Sequence, residues 1–204
     1  HADATQNCKQ AGRAFAAVYG GDSAAVARAI WLLADVNSAK GQSRTAMVQY
    51  SHAISLISAD LGPSHPWLIE LMVNAGTNMY SNGYVKQTMD VVEYCLSILD
   101  KFVPGLDDKN AYVASILALK GQALVDMGDL STSEKVLEKA MYAARDAIGS
   151  KSEQHATIMM LLAESLMRQS KGDKVEPALK QAMTIAREVV GGRDLERAKQ
   201  SGGG

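Results

Sequence analysis

The sequence predicts an all-α protein, a right-handed superhelix of stacked antiparallel helical hairpins. Three observations carry that prediction. The composition favours helix over strand: of 204 residues, 47% are hydrophobic but only 5% aromatic, and four are proline. Glycines placed to end helices recur at Gly62, Gly105, Gly149 and Gly191, spaced 43, 44 and 42 residues apart. Small residues recur in step with them at Ala53, Cys95, Ala140 and Ala182, spaced 42, 45 and 42. A period in this range marks stacked helical hairpins, each burying its apolar face against the next.

Residues 1–20 read as one helix stopped by Gly20-Gly21. Its segment Lys9-Gln10-Ala11 has a twin in Lys180-Gln181-Ala182, and each lies nine residues before a glycine pair. Two readings follow: the second helix of an incomplete repeat, or a cap on the first complete one. Four hairpins are then expected over residues 22–62, 63–105, 106–149 and 150–191. Gly41, Gly83 and Gly128 mark the turns between their helices, and Ser170-Lys171-Gly172 stands in the same place in the last. A glycine after a helix takes the left-handed conformation that ends it at little steric cost.

Seven positions before those turns stand Ala34, Gly76, Gly121 and Ala163. Small side chains there let two helix axes approach to about 8–10 Å. Larger residues fill the seams: in the third hairpin Ile116, Leu117, Leu124, Val136, Leu137, Met141 and Ile148 recur at three- and four-residue spacing. Asp22, Ser64 and Ser131 are placed to cap helix starts, and Pro66 suits a first helical turn. Residues 192–204 lose the apolar period; Asp194–Lys199 would prolong a polar helix briefly before an irregular, glycine-ended tail.

Small residues at the eighth, twentieth and twenty-seventh positions of a helix-turn-helix unit resemble the tetratricopeptide repeat. Here those positions hold Ala34, Ala46 and Ala53, then Gly76, Thr88 and Cys95, then Gly121, Ser133 and Ala140, then Ala163, Val175 and Ala182. Thr88, Cys95 and Val175 depart from the preferred alanine. The stretch Leu61-Gly62-Pro63-Ser64-His65-Pro66, with a period near 42, is similar to the longer repeats of kinesin light chains. The resemblance covers residues 22–191. It implies a solenoid that binds other proteins. Long repeats of this kind also occur in cell-polarity adaptors and in domains appended to lysine methyltransferases.

The formal charge of −1 supplies no electrostatic reason to expect nucleic acid. No apolar run is long enough to insert in a membrane. Cys8 and Cys95 form neither a disulfide framework nor a metal motif. Their sparseness points to a reducing compartment, hence the cytoplasm, with a secreted or periplasmic chain left open. No cofactor or metal is expected. His52, His65 and His155 are scattered and read as capping, packing or solvated groups, and no nucleophile has a spaced acid–base partner. The glycine pairs at 20–21 and 191–192 lack the strand and the Lys-Ser/Thr of a phosphate loop. The expectation is a protein without catalytic residues.

What remains informative is the face of each first helix that would line the concave side. The partner-binding candidates there are Arg28, Trp31 and Asp35, then Glu70, Asn74, Thr77 and Tyr80. The third hairpin adds Gln122 and Asp126, and the fourth Met160, Glu164 and Arg168. Aromatic and methionine side chains offer desolvated area, and amides pair with a peptide backbone. The resemblance implies that Asn74 stands where such repeats carry a backbone-gripping asparagine. The Lys-x-x-x-Asn arrangement that clamps chaperone carboxylates is absent. For Trp31 and Tyr80 a second reading stays open, in which they pack against neighbouring repeats.

The expected function is a scaffold or adaptor that holds another protein's peptide or helix in a concave groove. The alternative is self-association, as a homodimer or as a docking module of a longer protein, including one appended to an enzyme.

Overall fold

The computed structural model describes residues 2–102 and 110–201, and every regular element among them is helical. In order these are α1 (Ala2–Tyr19), α2 (Ala24–Ala39), α3 (Ser43–Leu61), α4 (Pro66–Ser81), α5 (Val85–Phe102), α6 (Ala111–Asp126), α7 (Leu130–Ile148), α8 (Glu153–Arg168) and α9 (Gly172–Ser201). The chain divides into two compact units, residues 1–104 with α1–α5 and residues 105–204 with α6–α9.

In the first unit each helix packs on its chain neighbour, and α2 also meets α4. In the second, α6, α7, α8 and α9 pack in succession and α6 also meets α8. Short turns make each pair antiparallel, so both units are stacks of helical hairpins. The expected Gly105 stop lies outside the described residues.

The turns are set by backbone conformation. Gly41, Gly83 and Gly128 have φ of 74°, 80° and 82°, and Gly62 and Gly149, which end second helices, have 90° and 93°. An L side chain at such angles costs roughly 1–2 kcal/mol. The last turn is met by Ser170, the one non-glycine described residue at positive φ, 57°.

Three expected caps are corrected by one position or two. Ser23, His65 and Asp129 accept the first-turn N–H groups of Val26, Trp67 and Thr132, in place of Asp22, Ser64 and Ser131. The cap must be the residue immediately before the helix, with its backbone outside the helical conformation. Pro66 fixes the first helical position and forces the residue before it into the extended region, so the role falls to His65.

The last helix is a second correction. α9 continues through Gly191 and Gly192 to Ser201 rather than stopping at Gly191. Gly191 keeps a negative φ, and the following Asp-Leu-Glu-Arg-Ala-Lys run contains only helix-compatible residues.

The core is built on the small residues. Ala27, Ala34, Ala46 and Ala53 are fully buried beside Tyr50, Ile57 and Leu71 in the first unit. In the second, Leu137 packs with Leu162 and Leu166, and Met159 with Ala182 and Ile185. Thr88 and Ser133, where alanine is preferred, are wholly buried and bond across the hairpin. Their hydroxyls reach the carbonyls of Gly76 and Gly121, at 3.4 and 2.9 Å. No described helix is long and apolar enough to cross a membrane.

Candidate functional site

In the first unit α2 and α4 lie side by side, and α3 reaches between them with Tyr50. The Tyr50 hydroxyl donates to Asp35 Oδ1 at 2.7 Å, and Asn74 Nδ2 lies 3.4 Å from the same oxygen. One turn along, Asn78 Nδ2 donates to Ser38 Oγ at 2.6 Å. Asp35, Ser38, Tyr50, Asn74, Thr77, Asn78 and Ser81 line a shallow depression of about 270 Å³. Burial raises the Asp35 carboxyl above the ordinary aspartate range, against the opposing pull of Tyr50 and Asn74. Burial and the neighbouring carboxylate raise the Tyr50 phenol in turn.

At the other end of this face Arg28 is exposed, its guanidinium 4.9 Å from the Trp67 ring centroid and 6.0 Å from that of Trp31. His65 meets Trp67 edge-on at 5.3 Å. Trp31 itself is 4% exposed and belongs to the hydrophobic core, so its expected place on the binding surface is corrected. Its indole packs in the same buried cluster as Ala27, Ala34 and Ala46. Its indole N–H faces Asp35 without a hydrogen bond of good geometry. Glu70 and Thr77 are exposed and Tyr80 is half-buried, while the Thr77 hydroxyl is turned back to the Val73 carbonyl at 2.9 Å.

The second unit presents a separate set. Arg168 on α8 donates to Asp126 on α6 at 3.3 Å and to Glu164 on its own helix at 2.9 Å. Met160, one turn before Glu164, is 47% exposed, and Gln122 is half-buried. Here the acids are already shared by one arginine, and such exposed pairs contribute little to stability.

The sequence candidates therefore divide by unit: Arg28, Asp35, Glu70, Asn74, Thr77 and Tyr80 in one, Gln122, Asp126, Met160, Glu164 and Arg168 in the other. Tyr50 and Asn78 were not foreseen. Asn78 stands four residues after Asn74, on the same face of α4, a signal available in the sequence. Tyr50 comes from a second helix, and only packing shows it turned inward.

Two further chemistry-bearing groups, Cys95 and His155, are buried. Cys95 is fully buried and its thiol is pushed up to about 12 by burial, which leaves no thiolate to react. His155 is 3% exposed, with Nδ1 3.2 Å from the Met141 carbonyl. Among the described residues no group of three or more His, Cys, Asp or Glu is placed to hold a metal ion.

Residues 114–146, within α6 and α7, match the tetratricopeptide repeat family. No curated protein sequence matches the chain. Among solved structures the chain is similar to kinesin-light-chain-type, nearly identical TPR-like repeats from Podosopora anserina. The identity is 16% and the TM-score 0.65, over 91% of this chain and 87% of that one. A methionine-substituted form of that protein gives 16% and 0.68, over 91% and 86%. BtubC (BKLC) from P. vanneervenii gives 13% and 0.67, over 82% of this chain and 65% of that one. At these identities the likeness is one of fold: an all-α solenoid of helical repeats.

Proposed function

We propose that this chain, a tetratricopeptide-repeat protein resembling kinesin light chain repeats, is a non-catalytic scaffold that holds an extended peptide of another protein. The fold is generally a protein–protein interaction scaffold. The observation that carries the finer reading is the Asp35–Tyr50–Asn74 network joining α2, α3 and α4 in the first unit. A half-buried carboxylate and two asparagines there offer acceptors and donors at fixed positions, which is what a peptide backbone needs. The network already holds these groups in place, so little side-chain entropy is lost on capture.

The test is peptide selection from a displayed random library, followed by titration of the selected sequences against variants. Asn74→Ala and Asp35→Asn should each weaken capture at least fivefold while helical circular dichroism is unchanged. Selected peptides that bind both variants as well as wild type would remove this face from consideration.

A second reading is self-association, favoured by exposed apolar side chains on α1 and α9. Val18 and Tyr19 are 72% and 65% exposed, and Met183 is 53% exposed. Light scattering across a concentration series, on wild type and Val18→Glu, separates the two readings. A concentration-dependent mass that Val18→Glu abolishes supports self-association, and a constant monomer mass ends it.

A further inference from the structure

We infer that the depression between α2 and α4 seats the ammonium group of a lysine side chain carried by the bound peptide. The inference rests on the peptide reading of this face and names what the face selects. Asp35 is the one charged residue lining the depression, and none of the lining residues is basic. Helix α4 carries no lysine or arginine. The single basic residue of α2, Arg28, lies against the Trp67 ring, and Lys40, just past α2, donates to Thr5 at 2.6 Å. Asp35 is half-buried, and the groups that approach its Oδ1, Tyr50 and Asn74, are neutral. A half-buried carboxylate without a cation beside it destabilises the free chain, and a cation brought by a partner relieves that.

The hydroxyls of the depression independently select a donor. Each carries a single proton, and those protons are committed to the protein. Thr77 Oγ1 donates to the Val73 carbonyl and Ser81 Oγ to the Thr77 carbonyl, both at 2.9 Å, and the Tyr50 hydroxyl donates to Asp35. Thr77 and Ser81 are exposed, so what they offer a ligand is oxygen lone pairs. A carboxylate beside such acceptors repels an anion. An ammonium group, with three donors and no acceptor, matches them, and the asparagine amides are left for the peptide backbone.

Arginine is the poorer fit. Its planar fork binds best through two parallel bonds to the two oxygens of a carboxylate. Asp35 Oδ1 is already approached by Tyr50 and Asn74, which obstructs that arrangement. A lysine ammonium is a compact point charge that needs one open oxygen, in keeping with a shallow depression of about 270 Å³.

The experiment takes short peptides selected on the whole chain from a displayed random library and titrates them calorimetrically, with each lysine free or acetylated. The selected peptides should share a lysine at one position. Acetylating it should weaken binding to wild type at least tenfold, but binding to Asp35→Asn less than twofold, because the two changes remove the same interaction. Thr77→Val, which removes an acceptor at nearly constant shape, should weaken the lysine form more than the acetylated form. Peptides that respond to Asn74→Ala yet show no lysine preference, or that acetylation weakens equally on wild type and Asp35→Asn, would overturn the inference and leave the peptide reading standing. Arginine preferred at that position, or a loss that follows acetylation of the peptide's terminal amine instead, would also overturn it. Selected peptides indifferent to both Asn74→Ala and Asp35→Asn would remove the peptide reading and this inference together.

Discussion

The Ser133 hydroxyl donates to the Gly121 carbonyl at 2.9 Å, across the closest approach of α6 and α7. Both residues are wholly buried, and a Cβ added at Gly121 would overlap Cγ and Cδ2 of Leu137, itself fully buried. Gly121→Val should therefore cost roughly 1–3 kcal/mol or more, and Ala140→Leu a similar amount at the same seam. Chemical denaturation measures both. Wild-type-like midpoints would mean that α6 and α7 are further apart than this.

Gly12 is the opposite case. A Cβ there would meet only Ala29 Cβ, at 3.5 Å, an ordinary contact. Glycine inside a helix costs roughly 0.5–1 kcal/mol relative to alanine. Gly12→Ala should thus stabilise the protein by about that much, seen as a raised melting temperature. A loss of stability would show α1 pressed tightly on α2.

Trp31 and Asn74 should part company when each is cut to alanine. Trp31→Ala removes a core side chain and should cost about 3–5 kcal/mol, so any loss of binding in it is confounded with unfolding. Asn74→Ala removes a half-buried amide at the surface and should leave the melting temperature nearly unchanged. Thermal melts of the two variants side by side decide this; equal melting temperatures would contradict the burial of Trp31.

Asp35 gives a pH-dependent signature. Its folded pKa is raised above the unfolded value, so its contribution to stability is full below the unfolded value. That contribution is lost as pH rises through the folded one. At neutral pH the charged group is therefore a cost, and Asp35→Asn should melt higher than wild type at pH 7. The difference should vanish towards pH 3. Asp35→Asn melting lower at pH 7 would show that the hydrogen bonds outweigh desolvation.

His155 has the other sign. Burial holds its folded pKa below the ordinary 6.5, so the unfolded chain takes up the proton first. Stability should be level above about pH 6.5 and fall as pH drops below it. Glu134, held low chiefly by Lys171 and also by Lys174, adds its own loss below about pH 4.5. Melting temperatures from pH 8 to 4 follow both windows. His155→Gln should flatten the upper one, and an unchanged slope there would exclude His155 as its source.

Sequence alone determined the class of fold and the rhythm of the hairpins. Glycine at a left-handed turn and alanine at a helix crossing are local steric requirements, so Gly41, Gly83 and Gly128, and Ala34, Ala53 and Ala140, announce themselves by spacing. Asn74 stands at a repeating position of a first helix, and its approach to Asp35 of α2 is something only the packing supplies. The tertiary structure decided what spacing does not encode. It placed Trp31 in the core rather than at the surface, because burial depends on how several helices pack together. It moved the caps to His65 and Asp129 and carried α9 past Gly191, because helix ends depend on the backbone conformation actually adopted. It brought Tyr50 from α3 onto Asp35 of α2. Each of those relationships joins residues whose meeting depends on how helices pack, and the period of the sequence carries no record of it.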